Sequence, residues 1–165
     1  MPLKPIVLQA MNVQMNAEFY SSFMYLAMAA HFEHEALPGI AHWLKLQAEE
    51  ERGHAMKFFG HMVERGGKPI LAALPASPAN WAGPEAAFKN VVEHEEQVSR
   101  LIDSLAALAR KEEDFATENF LQYFIKEQVE EEAQSKLLYA QFQMAGASKG
   151  SIMMMDHRLG KRAGE

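Results

Sequence analysis

The stretch LQAEEERGHAMKFF, residues 46–59, sets three glutamates and a histidine among apolar residues at helical spacing. At roughly 100° per residue, Glu51 falls in the middle of a stripe made by Ile40, Leu44, Ala48, Ala55, Phe58 and Met62. Glu50 lies roughly 100° from it, at the stripe's margin, and Glu49 turns outward. His54 follows Glu51 by three residues, so the two side chains share one helix face. A carboxylate removed from water without a partner costs several kcal/mol. Either this helix is a surface helix, or something compensates Glu51.

The same winding applied elsewhere decides between these readings. Val7, Met11, Met15, Tyr25 and Ala29 surround Glu18, and Phe88, Val91, Val92, Val98, Ile102 and Ala106 surround Glu95. Phe120, Phe124, Leu138 and Phe142 surround Glu131. One glutamate on a helix is ordinarily a solvated surface residue. Four glutamates, each centred on the apolar stripe of a different helix and each near its midpoint, point instead to one buried layer. No lysine or arginine lies in these stripes near the layer, so the charge must be met by protons or bound cations. A donor set of carboxylates with one imidazole suits iron or manganese better than a structural zinc site. Glu51 shared between two ions would give a dinuclear centre.

Helical patterns run near 5–35, 39–65, 84–110 and 114–145, with a short one near 149–158 and a tail over 159–165. Pro84 suits a first helical turn, and Gly66 and Gly146 suit stops. Four helices of this length describe an all-α four-helix bundle within a single domain over 1–165. The connection around Gly67–Gly83 is long and rich in proline, unlike the two short links. Extended chain of that length spans the bundle, which makes the second and third helices parallel. A slack loop in an up-down-up-down bundle is the competing arrangement.

Composition narrows the function. The net charge of −6 argues against nucleic acid as the main partner and permits cations. No apolar run approaches a membrane span, no secretory signal is visible, and a cytoplasmic protein is expected. Zero cysteines exclude disulfides, thiolate zinc sites and iron–sulfur clusters from this chain. Gln128 and Glu127 flank Glu131, while Glu50 and Glu130 sit at stripe margins, where they either hold a further ion or face solvent. Tyr25 reads as a packed core residue or as an electron donor to an oxidising metal. His31, His34, His42, His61, His94 and His157 lack paired spacing with inward carboxylates and are expected in surface or packing roles. Met153–Met155 reads as a buried helix face or a subunit contact.

The ordered set MNAEFYSSFMY, AEEERGH, EHEEQ and FIKEQVEEE across four helices resembles the ferritins, in particular bacterial non-haem ferritins. The resemblance covers nearly the whole chain. It implies a ferroxidase centre in which Glu18, Glu51 and His54 hold one iron and Glu51, Glu95 and Glu131 a second, with Gln128 beside them. It also implies a third iron site at Glu50, Glu127 and Glu130, a tyrosine near the centre at Tyr25, and a fifth helix around a four-fold axis. A cage of 24 subunits that oxidises Fe2+ with O2 or H2O2 and stores ferric mineral would follow. The haem-binding and rubrerythrin-type relatives repeat Glu-x-x-His on the fourth helix, where this chain reads Glu127-Gln-Val-Glu130. Arg52 stands where the haem-binding relatives carry the ligating methionine, so haem is not expected. The alternatives are a dinuclear iron or manganese oxidase without a storage role and a non-catalytic helical scaffold.

Overall fold

The computed structural model describes residues 1–164; Glu165, the last residue of the expected tail, lies outside the described residues. Five helices follow one another: α1 (Pro5–His34), α2 (Pro38–Glu64), α3 (Pro84–Lys111), α4 (Phe115–Ala145) and α5 (Lys149–Leu159). Each bound falls within one residue of the expected one. The local chemistry explains why. Pro5, Pro38 and Pro84 open their helices in the first turn, where a missing N–H is harmless. Asp114 caps α4 by accepting from the Thr117 N–H at 3.1 Å, and Ser148 caps α5 through the Ser151 N–H at 3.3 Å. Gly66 and Gly146 close α2 and α4 at φ 72° and 53°, a region glycine enters freely.

The crossover fixes the topology. Its first residues run beside α1, where Asn12 and Asn16 accept from the N–H groups of Ile70 (2.6 Å) and Ala72 (2.9 Å). Near its end, Trp81 packs edge-on against His31 at the far end of α1, with ring centroids 5.6 Å apart. The chain has then travelled the length of the bundle. Trp43 near the start of α2 meets Phe88 near the start of α3, and Arg65 after α2 pairs with Asp114 after α3 at 2.9 Å. So α2 and α3 run parallel, and the slack-loop arrangement is ruled out.

Two apolar cores fill the bundle, one at each end. Tyr25, Phe32, Leu44, Phe88 and Phe142 belong to one, and Met11, Met15, Phe58, Ile102 and Phe124 to the other. Between them lies a buried polar layer that includes Glu18, Glu51, His54, Glu95 and Gln128. Helix α5 lies against the start of α2. Asp156 Oδ1 accepts the Ile40 N–H at 2.7 Å, placing a carboxylate at the positive end of that helix. The approach is close enough that a Cβ on Gly39 would meet the Asp156 carbonyl oxygen at 1.8 Å.

Replacing a helical glycine by alanine ordinarily stabilises a protein by up to about 1 kcal/mol. Gly39→Ala is expected to do the reverse, costing about 1–3 kcal/mol by forcing α5 off α2. A lowered thermal unfolding midpoint would show it, and an unchanged or raised midpoint would contradict the close packing described.

Candidate metal centre

Glu18, Glu51 and His54 converge at the middle of the α1–α2 pair. Each offers one ligand atom, and these atoms lie within 4.8 Å of one another. The two glutamates are 1% and 3% exposed, and His54 is 5% exposed. His54 Nδ1 stands 3.4 Å from Glu51 Oε2. Phe124 packs edge-on against the imidazole and Phe58 packs at a tilt against Phe124, which holds the ring in place from the apolar side. From the other pair of helices, Glu95 is buried at the same level and Glu131 is half-buried. Gln128 donates to Glu95 Oε2 at 3.1 Å, and the Tyr25 hydroxyl donates to Glu95 Oε1.

Burial sets the electrostatics. Desolvation, then the negative charge of Glu51, pushes the Glu18 carboxyl up to about 8. Desolvation and the Glu95 charge raise Glu131 to about 7. Glu51 is raised well above the usual carboxylate range by burial and by Glu95 and Glu131, and burial raises Glu95. Tyr25 is held protonated by its burial and by the Glu95 charge. Among the described residues, the carboxylate oxygen Glu18 Oε2 is buried without a hydrogen-bond partner. An orphaned acceptor facing other carboxylates and an imidazole is a group made to receive a cation.

The remaining candidates are arranged differently. Glu50 and Glu127 are half-buried and border a pocket of about 440 Å³ beside His54, whereas Glu130 is exposed. Among the described residues these three do not gather as closely as Glu18, Glu51 and His54. Arg52 points outward to Glu49 at 3.0 Å. Of the other histidines, His94 is half-buried, shares a 2.7 Å hydrogen bond with Ser21 Oγ, and is kept neutral by burial, which lowers its imidazole to about 4. His61 stacks on Phe120. In α5, Met155 is buried against the bundle while Met153 and Met154 project outward.

Three residues of the site escape a reading based on charge alone. Gln14 donates to Glu18 Oε1 at 2.7 Å, and Gln47 donates to Glu51 Oε1 at 3.3 Å and Glu131 Oε2 at 3.0 Å. Both precede their glutamate by four residues, but Val91 and Glu127 hold the same place before Glu95 and Glu131, so the spacing is not common to the four acids and did not mark these glutamines out. The third, Arg162, arrives from the tail, and it donates to Glu50 Oε2 at 2.5 Å.

A helical bundle with one long crossover and a carboxylate–histidine cluster at mid-height defines the ferritin-like class. The comparisons agree. The ferritin-like domain family matches residues 8–145. Bacterial non-heme ferritin of Bacteroides fragilis strain 638R is 40% identical over 153 residues, covering 93% of this chain and 95% of that protein. Its Staphylococcus aureus MRSA252 counterpart is 33% identical over 156 residues, covering 94% of each. An open-pore ferritin from the archaeon Archaeoglobus fulgidus superposes with a TM-score of 0.96 at 40% identity, covering 98% of this chain and 99% of that one. An engineered closed form of the Archaeoglobus fulgidus ferritin gives 0.97 at 39% identity, covering 99% of both chains. The chain belongs to the ferritin family.

The metal-free folded state keeps protons on Glu18 and Glu131 to about pH 8 and 7, whereas their ordinary value is 4.5. With more protons bound in the folded state, stability is greatest below that ordinary value and falls as pH rises toward the folded values. The thermal midpoint of metal-free protein should therefore drop between about pH 5 and about pH 8, and a divalent cation should remove most of the drop. A midpoint flat or rising across that window, without metal, would contradict the buried acid cluster.

Proposed function

We propose that this protein is an iron-storage ferroxidase. Fe2+ is its substrate and cargo. Glu18, Glu51 and His54 hold one ion, and Glu51, Glu95 and Glu131 hold a second, with Gln128 positioned beside Glu95. The observation that carries the reading is the convergence of Glu18, Glu51 and His54, with Glu18 Oε2 buried and unpartnered. Binding of two dications releases the protons that burial keeps on the carboxyls and ends the mutual repulsion of their anions. Each Fe2+ then gives up one electron. O2 takes two electrons and two protons to leave as H2O2, or H2O2 takes the same number to leave as two waters. The apolar cores on either side exclude bulk water from this exchange.

Tyr25 would replace one of the two Fe2+ electrons when a single ion is bound, its phenolic proton passing to Glu95, and its hydrogen bond to that carboxylate supports the reading. Glu50 and Glu127, beside the pocket next to His54, would form with Glu130 a third iron position once Glu50 releases Arg162. We assign the storage volume to a closed 24-subunit shell in which α5 surrounds a four-fold axis. The outward Met153 and Met154, 67% and 70% exposed, support a subunit contact there. No described helix is long and apolar enough to cross a membrane, and a cytoplasmic particle is part of the reading we propose.

Anaerobic titration with Fe2+ followed by O2 tests the chemistry. Glu51→Ala and His54→Ala should each oxidise Fe2+ at least about 100-fold more slowly than wild type at the centre. Wild-type rates in both would refute the assignment. Imaging of the iron-loaded protein should show a dense core inside a shell, and monomers or dimers in sedimentation would refute the cage.

A further inference from the structure

The tail beyond α5 turns back over α2, and Arg162 is clamped there by both its backbone and its side chain. His42 Nε2 donates to its carbonyl at 2.8 Å. The guanidinium lies over the Trp43 ring, 4.9 Å from the centroid, and donates to the Trp43 carbonyl at 3.4 Å and to Glu50 at 2.5 Å. A further bond runs inward, from Nη1 to Gln47 Oε1 at 3.0 Å. Gln47 is wholly buried.

A guanidinium can only donate. Its bond to Gln47 therefore settles which way the amide faces: Oε1 toward the tail, NH2 toward the carboxylates. The NH2 reaches both Glu51 and Glu131, two of the three acids assigned to the proposed second iron. Were the amide reversed, Oε1 would face two carboxylate oxygens, and Arg162 would face an NH2 that cannot accept.

We propose that Arg162 is a positioning residue for the metal centre, acting through Gln47 to orient Glu51 and Glu131. That these carboxylates hold iron rests on the function proposed above; the Arg162–Gln47 relay does not. A rival role for Arg162 is a simple counter-charge that holds cations away from Glu50. The two roles have opposite signs, because losing orientation weakens metal binding at the centre and losing a positive charge strengthens it.

The test uses assembled protein and Co2+ alone as the probe, read by calorimetric titration and by the d–d absorption of the bound ion. Arg162→Met keeps the apolar stem over Trp43 and deletes the donors. It should bind Co2+ about 10-fold more weakly at the centre and shift the d–d band, in protein that stays folded and assembled. Arg162→Lys, which keeps a donor, should restore most of the affinity. The double variant Gln47→Ala/Arg162→Met should bind no more weakly than Gln47→Ala alone, since one path cannot be broken twice. Equal or tighter binding by Arg162→Met, or losses that add in the double variant, would overturn the proposal. A crystal structure of metal-free Arg162→Met should show the Gln47 amide turned or displaced; an unmoved amide overturns the proposal irrespective of metal. Failure of wild-type protein to bind Co2+ at all would instead strike the functional reading, leaving the amide's position to decide the relay.

Discussion

Four glutamates brought to one level of a closed bundle set the terms for everything around them. Ions of like sign in a dry interior repel one another and lack water, and every feature of the mid-layer answers to that. The helices are long because each acid sits near a midpoint and needs apolar turns on both sides. The crossover is long because it must bring α3 back to the end where α2 began. The two cores, one ending near Tyr25 and the other near Met15, press on the layer from above and below. Neither core could be extended through the layer without displacing a carboxylate.

The groups that touch these acids directly share one property: apart from His54, they are neutral donors. Gln14 serves Glu18, Gln47 serves Glu51 and Glu131, and Tyr25 and Gln128 serve Glu95. A lysine in any of those places would set its own positive charge against the carboxylates and compete with a bound cation. Amides and a phenol fix the carboxylates' orientation while leaving their charge available, which is the usual division of labour between ligands and their supports. The permanent positive charge on Arg162 falls on Glu50 and is separated from Glu51 and Glu131 by Gln47.

Much of this was legible in the sequence because helical phase is a strong constraint. Glu18, Glu51 and Glu95 are central to apolar stripes, and winding alone buries them; proline and glycine mark the helix bounds within a residue. Glu131 is half-buried, because the α4 face it shares is ringed by Glu127, Glu130 and Glu132 and stays closer to solvent. Gln47 and Gln14 were present in the pattern but carry no charge, so their burial raised no question that would have singled them out. Arg162 had no local signal at all. Its place depends on how α5 docks through Gly39 and Asp156, a contact between residues far apart in the chain that no periodicity encodes.

The crossover divides the chain into two helical hairpins, and the mid-layer is shared unequally between them. Glu18, Glu51 and His54 all belong to the first hairpin, whereas Glu95, Gln128 and Glu131 belong to the second. Contacts between neighbours in the chain form sooner than contacts that must close a long loop. The first donor group is thus a local product of one hairpin. The pairing of Gln47 with Glu131 exists only after the two hairpins have docked. Chain entropy accordingly favours completing the first donor group ahead of the second, whose link to Gln47 requires a closed bundle.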